Sequence, residues 1–538
     1  MAEPGRRDDP IRHVVLLIME NRSFDQMLGC FHPAVDGIDP GVPGMNRDRA
    51  GRPYYQAPTD VRQMLLDPHH EVAHVRTQLD GNNGGFVLDF EACYPDSPPD
   101  ARQLIMSYYP RGFLPALHAL AQDFTICDHW FSSLPGPTWP NRSFALTGTS
   151  NGRVNMPGDG EHTIDLAGWF EQDQTTIFDN LTEKGIHWKS YFHDVPQSAV
   201  HCHQRKPENV SRYFYIDEFF EDARGREDEF PQFCLIEPDF NGVNENDDHP
   251  PHDVMKAERL LANVYNALRA NEKLWESTLL VVFCDEHGGF YDHVVPPPAV
   301  RPDDRRDEYS FDRLGVRVPA LLVSPWMDRR TETMQFDHTS VLRYLIDKWD
   351  LDPMGRRAAE AISIGVALTR RTPRPAHDTI ARIELTADQL AAPNPEVEEH
   401  AFGKSPHHKA LQALRAYLIA DAMEGLPRML VPIARLYVAL KRAWERLLDH
   451  FHVLHVSIAD LDKVTSLRTG VRGDFARFLR RRKRRDVRAI SRIIRNAALP
   501  VHRREHAVHT LALVGNRSFH RREDKIRAAT EWLDRHRK

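Results

Sequence analysis

The chain has 538 residues, of which 41% are hydrophobic and 27% charged, with a formal net charge of −7. This is the composition of an ordinary globular protein of two or three domains, and the net charge excludes a global attraction to nucleic acid. The six cysteines are scattered without a CxxC pair, which argues against a thiolate zinc site and against a dense disulfide framework.

Neither a secretion signal nor a membrane anchor is predicted. The chain opens with MAEPGRRDDPIRH, so no apolar segment of signal-peptide length precedes the first predicted strand. No stretch reaches the roughly 18 apolar residues of a transmembrane helix. We therefore expect a cytoplasmic protein, or one exported by a route that needs no amino-terminal signal.

Apolar runs and helical periods alternate along the first 350 residues. A buried strand is predicted at 12–19 and a turn-rich loop at 40–60. The later predicted elements are a helix at 113–124, a strand at 124–127, a helix at 176–184, strands at 186–192 and 233–240, a helix at 253–270, strands at 277–290 and 316–326, and a helix at 338–349. This succession predicts an α/β fold, a mostly parallel sheet sandwiched by helices.

The character of the sequence changes after about residue 355. Residues 371–405 are rich in proline and polar residues, and a helical period with few β-like runs follows. We predict three regions: a domain at 1–370, a linker or wrapping segment at 371–405, and a basic helical C-terminal extension at 406–538. The most basic part of the extension is LRRRKRRDVR, at 479–488.

Two of the apolar strands end in acid or amide side chains. Glu20 and Asn21 follow the first strand, and Asp285 and Glu286 follow the strand that begins at 277. In an open α/β sheet, sites lie outside the carboxyl ends of the strands. Oxygen donors gathered there suit a hard divalent cation such as Mg²⁺, Ca²⁺ or Mn²⁺, with Zn²⁺ an option if histidine joins. The alternative is that these acids cap helices or pair with arginines.

A second candidate feature is the loop SSLPGPTWPNRSF, which holds one hydroxyl between two prolines and a glycine. Proline fixes φ, so the backbone around Thr138 is constrained. A hydroxyl held beside a cation becomes a usable nucleophile near neutral pH, and Arg142 is placed to clamp an anion. The plainer interpretation is that Thr138 is only a turn residue.

Histidines beside acids, turns and strand ends form the third feature. A single histidine is more often structural than functional, and we expect about half of these to be structural. The candidates are His69, His70, His129, His187, His193, His249, His293 and His338.

The motifs together resemble a known family. MENRSFD (19–25), GPTWPNR (136–142), HPP (249–251), DEHGGFYDHV (285–294), GVRVPALLVSPW (315–326) and DHTS (337–340) are similar to the bacterial phospholipase C and acid phosphatase family of phosphoesterases. The resemblance spans roughly residues 12–350, in the family's motif order. It implies an alkaline-phosphatase-like α/β core, a catalytic domain at 1–370 and a phosphoester site with one divalent metal ion.

The resemblance also implies roles for individual residues. Thr138 stands at the nucleophile position, and His249, His70 and His193 are expected to contact the phosphate, with His187 as the alternative to His193. The implied metal ligands are Glu20, Asn21, Thr138, Asp285 and Glu286. The residues implied to support these groups are Asn141, Arg142, His129, Asp292, His293 and His338.

The expected reaction is hydrolysis of a phosphoester through a phosphothreonine intermediate, with His249 protonating the leaving oxygen. The preferred hypothesis is a phospholipase C type enzyme whose substrate is a phospholipid, and the alternative is an acid phosphatase type monoesterase. A hypothesis of another class is an idle fold that docks on an anionic surface. The basic tail has two interpretations: peripheral contact with an anionic membrane, or a solvated helix face or intramolecular partner of the acidic catalytic domain, and the second is the default. No nucleic-acid partner is expected.

Overall fold

The computed structural model describes residues 9–157, 166–170, 173–240, 245–305, 309–391, 410–414 and 418. Within these ranges, no helix has the length and apolar character needed to cross a bilayer. Almost all of the predicted extension at 406–538 lies outside the described residues, so its helical and basic character stays a prediction.

The strands are mostly short, apart from two of seven residues. The described residues form β1 (His13–Met19), β2 (Met45–Arg47), β3 (Pro53–Tyr55), β4 (Ala57–Pro58), β5 (Ser107–Tyr108), β6 (Thr125–Cys127), β7 (Trp130–Phe131), β8 (Trp188–Phe192), β9 (Tyr213–Tyr215), β10 (Phe233–Glu237), β11 (Thr278–Cys284), β12 (Ala320–Val323), β13 (Arg330–Glu332) and β14 (Phe336–Asp337).

The helices alternate with these strands. They are α1 (Phe24–Leu28), α2 (Val72–Asn83), α3 (Phe86–Cys93), α4 (Pro99–Ile105), α5 (Pro115–Asp123), α6 (Thr138–Thr147), α7 (Leu166–Phe170), α8 (Ile177–Glu183), α9 (Pro207–Val210), α10 (Ile216–Arg224), α11 (Val254–Ala270), α12 (Glu272–Trp275), α13 (Thr339–Trp349), α14 (Gly355–Glu360) and α15 (Ala387–Leu390).

Eight strands form the central sheet in the order β13-β6-β12-β11-β1-β10-β8-β9. Every neighbouring pair is parallel except the two pairs made by β12. All seven residues of β1 and all seven of β11 are buried, as expected for central strands covered on both faces. The predicted α/β class with a mostly parallel sheet is confirmed.

The sheet and its helices share one large apolar core. Residues of β1, β10 and β11 pack there against the buried faces of α5, α8, α11 and α13. Helix α11 shows how the sequence produces this packing, because Asp253 caps its first turn and its apolar residues recur at helical spacing on the buried side. A rigid core of this kind fixes the carboxyl ends of β1 and β11 relative to one another.

The region 40–60, predicted as loop, is an exception. It contains the hairpin β2–β3 and the short strand β4. The hairpin reverses at 48–52, where Gly51 has φ of +82°, a conformation that glycine adopts without steric cost. Three-residue strands are too short to produce an alternating pattern, and the turn residues between them dominate the sequence signal.

Candidate active site

The four strand-end oxygen ligands predicted from the sequence come from neighbouring strands. β1 and β11 are parallel and in register, with Met19 opposite Cys284. The next two residues of each strand are therefore brought to the same edge of the sheet. They are Glu20 and Asn21 after β1, and Asp285 and Glu286 after β11, and all four are fully buried.

One buried arginine offsets part of this negative charge. Arg142 donates from Nε to Asp285 Oδ2 at 2.8 Å, and its Nη2 lies 3.2 Å from Glu20 Oε1. Three carboxylates thus face one guanidinium. Burial, followed by the neighbouring Asp285 carboxylate, raises the pKa of Glu286 well above its usual range. The site carries an excess of negative charge that a bound cation would relieve.

Several buried oxygens at the site suit such a cation. Asn21 Oδ1, Thr138 Oγ1 and Glu286 Oε1 have no hydrogen-bond partner among the described residues. An unpaired buried polar atom is costly, so three of them in predicted ligands indicate a missing partner. The donor set is all oxygen, which fits a hard divalent cation.

Backbone geometry explains Gly288, the first glycine of the pair that follows His287. Asn21 has φ of +56° and Gly288 has φ of +62°. A Cβ on Gly288 would lie 2.2 Å from the Asn21 carbonyl oxygen, so only glycine fits. Gly288 N also donates to Glu286 Oε2 at 2.7 Å, which orients that carboxylate. The two ligand-bearing segments are therefore packed directly against each other.

Thr138 is the first residue of α6, and the loop before it is held by Asn141. The Asn141 amide accepts from Leu134 N at 3.1 Å and donates to the Gly136 carbonyl at 2.8 Å. Arg142 lies four residues after Thr138 and so shares its helix face. Because Arg142 contacts Glu20 and Asp285, the face of α6 that carries Thr138 is turned toward the acidic cluster.

Two of the predicted histidines lie near one another, and one of them, His70, is beside the predicted ligands Asn21 and Glu286. The His70 ring is 3.3 Å from Asn21 Nδ2 and 3.7 Å from Glu286 Oε1. The ring of His249 is 6.0 Å from that of His70, and its Nε2 is 3.8 Å from Asp67 Oδ2. The contact of either histidine with a phosphate stays a prediction.

The third predicted histidine lies further along the same edge of the sheet. His193 directly follows β8, two strands away from β1, and its Nδ1 is 3.1 Å from the Glu237 carbonyl oxygen. His187 precedes β8 and so lies at the opposite, amino-terminal edge. The geometry therefore favours His193 over His187, and the contact of His193 with phosphate stays a prediction.

Comparison with known proteins identifies the family. A family model described as the phosphoesterase family matches residues 11–352, more than half of the chain. The chain belongs to the phosphoesterase family. It is a hydrolase that acts on phosphoester bonds, and its substrate is a phosphoester.

Relatives of this phosphoesterase include plant and bacterial enzymes. It is 32% identical over 407 residues to non-specific phospholipase C3 of Arabidopsis thaliana. The alignment covers 69% of this chain and 76% of the plant protein. It is 27% identical over 401 residues to phospholipase C B of Mycobacterium tuberculosis, covering 64% and 74%. A solved protein of the alkaline phosphatase superfamily from Vibrio parahaemolyticus is 12% identical, covers 56% of this chain and 82% of its own, and gives a TM-score of 0.28.

His338, one of the predicted supporting residues of the phosphoesterase, contacts a ligand residue from behind. Its Nδ1 accepts from Trp130 Nε1 at 3.2 Å, so Nε2 carries the hydrogen and donates to the Asp285 carbonyl oxygen at 2.6 Å. Burial lowers the pKa of His338 to about 4, so the ring stays neutral. It stacks on Phe283 with ring centres 4.6 Å apart. This arrangement fixes the strand end that carries Asp285.

The other three residues predicted to support the ligands, Asp292, His293 and His129, belong to a charged network around Arg317, and their supporting role stays a prediction. The Arg317 guanidinium lies 3.0 Å from Asp25 Oδ1 and 3.1 Å from Asp292 Oδ1. His293 pairs with Asp25 at 2.9 Å, and His129 pairs with its neighbour Asp128, also at 2.9 Å. The contacts of Asp25 with Arg317 and His293 brace α1, the helix that follows the first ligand segment.

Three site residues were missed by sequence reasoning. Asp67 lies next to His249, and its partial burial, followed by the Glu71 carboxylate, raises its pKa well above the usual range. Gln197 donates to Glu20 Oε1 at 2.6 Å, and Asp247 accepts from the Glu20 backbone N–H at 2.8 Å through its carbonyl. Asp67 had a signal, since it stands three residues before His70 in a DxxH pattern. No sequence pattern marks Gln197 as a site residue.

Proposed function

We propose that this phosphoesterase is a metal-dependent phospholipase C type enzyme, which cleaves the phosphorylated headgroup from a phospholipid. The observation that carries the proposal is the set of buried oxygens without partners, Asn21 Oδ1, Glu286 Oε1 and Thr138 Oγ1, beside an acidic cluster. Relatives at about 30% identity are named phospholipase C, which supports a phosphodiester rather than a monoester substrate.

The residues that would hold the metal are Glu20, Asn21, Thr138, Asp285 and Glu286. When bound, the divalent cation would lower the pKa of the Thr138 hydroxyl and offset negative charge on the phosphoryl oxygens. Arg142 keeps Glu20 and Asp285 in place through its two contacts. The residues alone, with one guanidinium for three carboxylates, would repel a phosphate, so phosphate binding depends on the cation.

The reaction proceeds in two displacements. Thr138 Oγ1, whose proton has passed to solvent, attacks phosphorus, and the bond from phosphorus to the diacylglycerol oxygen breaks. His249 donates a proton to that leaving oxygen, so diacylglycerol departs as an alcohol and the headgroup phosphate remains esterified to Thr138. Water then gives a proton back to His249 and attacks phosphorus, the bond to Thr138 Oγ1 breaks, and the phosphorylated headgroup leaves while Thr138 returns to its starting alkoxide. His70, beside Asn21 and Glu286, binds the phosphoryl oxygens throughout.

The test compares two substrates in three proteins. Purified protein, with and without chelator, is assayed on phosphatidylcholine vesicles and on p-nitrophenyl phosphate, with Thr138→Ala and the control Thr182→Ala. The Thr182 hydroxyl donates to its own helix at 2.8 Å and is remote in sequence from every ligand motif. We expect diacylglycerol release by wild type and Thr182→Ala, and a loss of at least about 10³-fold in Thr138→Ala. Turnover of the monoester alone would support the phosphatase instead.

A basic segment supplies a further proposal about partners. We propose that residues 479–488, which lie outside the described residues, hold the enzyme on anionic lipid surfaces, at about 1 kcal/mol for each basic side chain near the surface. Co-sedimentation with vesicles of phosphatidylcholine alone and with added phosphatidylserine tests this. Binding that depends on phosphatidylserine and weakens with salt is expected, and equal binding to both vesicles would contradict it.

A further inference from the structure

We propose a second metal site, built from His69, His74 and Cys93, that takes a borderline transition-metal ion such as Zn²⁺ and is separate from the oxygen site. One ligand atom from each of the three residues lies within 4.8 Å of the other two. The inference does not depend on the phospholipase activity, because it concerns different residues and a softer class of ion.

The ligand geometry is close to what such an ion needs. Tetrahedral zinc, with bonds of about 2.0–2.3 Å to nitrogen and sulfur, places its ligand atoms about 3.3–3.6 Å apart. Cys93 Sγ is 3.5 Å from His74 Nδ1, and the His69 and His74 rings have centres 4.7 Å apart. The distances between the ligand atoms would therefore have to shorten by roughly 1 Å. Side-chain rotation of these half-exposed residues allows this. Nitrogen and thiolate ligands select Zn²⁺ over Mg²⁺ or Ca²⁺.

Carboxylates flank the histidines on both sides. His74 Nδ1 lies 2.9 Å from Asp89 Oδ1, and His74 Nε2 lies 4.0 Å from Glu71 Oε2. Glu71 Oε2 is also 3.4 Å from His69 Nδ1. Cys93 Sγ and Asp89 Oδ1 both lie beside His74 Nδ1, so this nitrogen would bind the ion and Asp89 or a water molecule would complete the fourth position. His74 Nε2 would then keep its hydrogen on the side of Glu71, as metal-bound imidazoles commonly do with a carboxylate.

The local fold gives the ligands a fixed frame. Cys93 ends α3, and Asp89 lies four residues earlier on the same face. The buried Gln78 donates to the His69 carbonyl at 2.7 Å and to Asp89 Oδ2 at 2.8 Å. The segment at 69, helix α2 and helix α3 are thus already held together before any ion binds, which lowers the entropy cost of forming the site.

The position of the site gives it a consequence for the enzyme. His69 is the residue before His70, and Asp67 precedes it by two, so the ion would fix the segment that carries both active-site groups. Gln78 also accepts from His287 Nε2 at 2.8 Å, beside the ligand Glu286. The ion would hold one wall of the active site in place.

Two other clusters of possible ligands are less suited to an ion. Asp25, Asp292 and His293 surround the Arg317 guanidinium, which already supplies the positive charge. In the group of Asp173, Cys202 and His203, the Asp173 side chain is 91% exposed, and Asp179, from outside the group, lies 3.0 Å from His203 Nδ1. Among the described contacts, no arginine or lysine pairs with His69, His74 or Cys93.

Cobalt titration of the metal-depleted full-length protein tests the proposal. Co²⁺ bound by a thiolate gives a sulfur-to-cobalt absorption band in the near ultraviolet, which an oxygen-only site does not give. We expect this band in wild type and in Cys30→Ser, whose half-buried thiol faces His118 at 3.8 Å. The band should be absent in Cys93→Ser. In His74→Gln, the apparent affinity for Co²⁺ should be at least tenfold weaker. Zn²⁺ should abolish the band by competition.

The result that would overturn the proposal is equally direct. Absence of the band in wild type, or its persistence in Cys93→Ser, would show that these residues hold no ion. Loss of the band in Cys202→Ser with retention in Cys93→Ser would place it at the other cysteine and also overturn the proposal. Thermal unfolding of each variant without metal checks folding. Should Cys93→Ser fail to fold, His69→Asn takes its place, with loss of the band again expected.

Discussion

Arg142 is the side chain on which the charge of the site depends. It is buried between Glu20 and Asp285, and those carboxylates raise its pKa further against the opposing effect of burial. A buried guanidinium with two carboxylates is costly to break, because each partner left behind is an uncompensated charge. From the sequence, Arg142 was expected to clamp an anion, and in the structure it contacts the protein's own acids, Glu20 and Asp285.

Replacement of Arg142 by methionine is therefore expected to lower the free energy of unfolding by about 3–5 kcal/mol and to reduce turnover. Urea unfolding of the metal-free protein measures the first effect, and a phosphoester assay measures the second. The matched control is Arg301→Met, since Arg301 pairs with Asp312 at 3.3 Å on the surface and should contribute less than about 1 kcal/mol. Equal losses in the two variants would contradict the role given to Arg142.

His293 makes stability depend on pH. Burial disfavours its charged ring, but the hydrogen bond and charge of Asp25 outweigh this and raise its pKa to about 9. A histidine whose pKa is raised on folding stabilises the protein fully below about pH 6.5, and this stabilisation is lost as the pH rises through 9.

We predict that wild type loses about 2–3 kcal/mol more than His293→Gln between pH 6.5 and pH 9.5. Urea unfolding of both proteins at the two pH values measures the difference. The variant is the necessary reference, because the pKa of His74 is also raised, to about 10, by its hydrogen bonds to Asp89 and Cys93. Parallel pH profiles in wild type and variant would show that His293 is not the titrating group.

At the scale of the element, helix α6 depends on how its carboxyl end packs. It ends at Thr147 and is capped by Gly148, which has φ of +78°, and a Cβ on Gly148 would lie 2.0 Å from the Met354 carbonyl oxygen. Gly185 also has a positive φ, +70°, but has nothing within 4 Å of the Cβ position. Substituting each glycine by alanine therefore separates the energetic cost of the left-handed backbone from the cost of a steric clash.

Gly148→Ala should therefore destabilise the protein more than Gly185→Ala, which should cost about 1–2 kcal/mol for the left-handed conformation alone. We expect Gly148→Ala to cost at least about 2 kcal/mol more, the size of an overpacking effect, and to lower turnover by shifting Thr138 and Arg142 at the other end of the helix. Chemical denaturation and a phosphoester assay measure the two effects. Equal costs would mean that α6 moves freely against Met354.

The sequence predicted elements well where a simple pattern controls them. β1 and β11 are continuous apolar runs, and helix α8 has a threonine cap whose side chain exchanges hydrogen bonds with Asp179. The direction of β12 was not predictable, because an apolar run reads the same in a parallel or an antiparallel neighbour. The short strands β2 and β3 lacked enough residues to show a period.

At the scale of the whole molecule, the candidate site is assembled from segments far apart in the chain. Strand ends could be placed from the sequence, because parallel neighbours share an edge. Gln197 could not, since nothing in its loop shows that it reaches Glu20, 177 residues away. The contacts of His293 with Asp25 and of Asp292 with Arg317 could not be predicted either, because the order of motifs does not show which side chains meet.

Cation binding should stabilise the folded chain, because the acidic site exists only when the strands are assembled. A hard divalent cation at about 100 times its dissociation constant should add about 2.7 kcal/mol. Thermal unfolding with Mg²⁺ or Ca²⁺ and with chelator measures this, and Glu286→Gln should lose most of the shift. Glu276→Gln is the control. An equal shift in both variants would place the cation elsewhere.

The most direct test of the account is capture of the covalent intermediate. Enzyme turning over p-nitrophenylphosphorylcholine is quenched rapidly in acid, digested, and its peptides are weighed by mass spectrometry. The account predicts phosphorylcholine on the peptide that contains Thr138, and none on Thr138→Ala. An adduct on another residue, or undiminished turnover by Thr138→Ala, would contradict it.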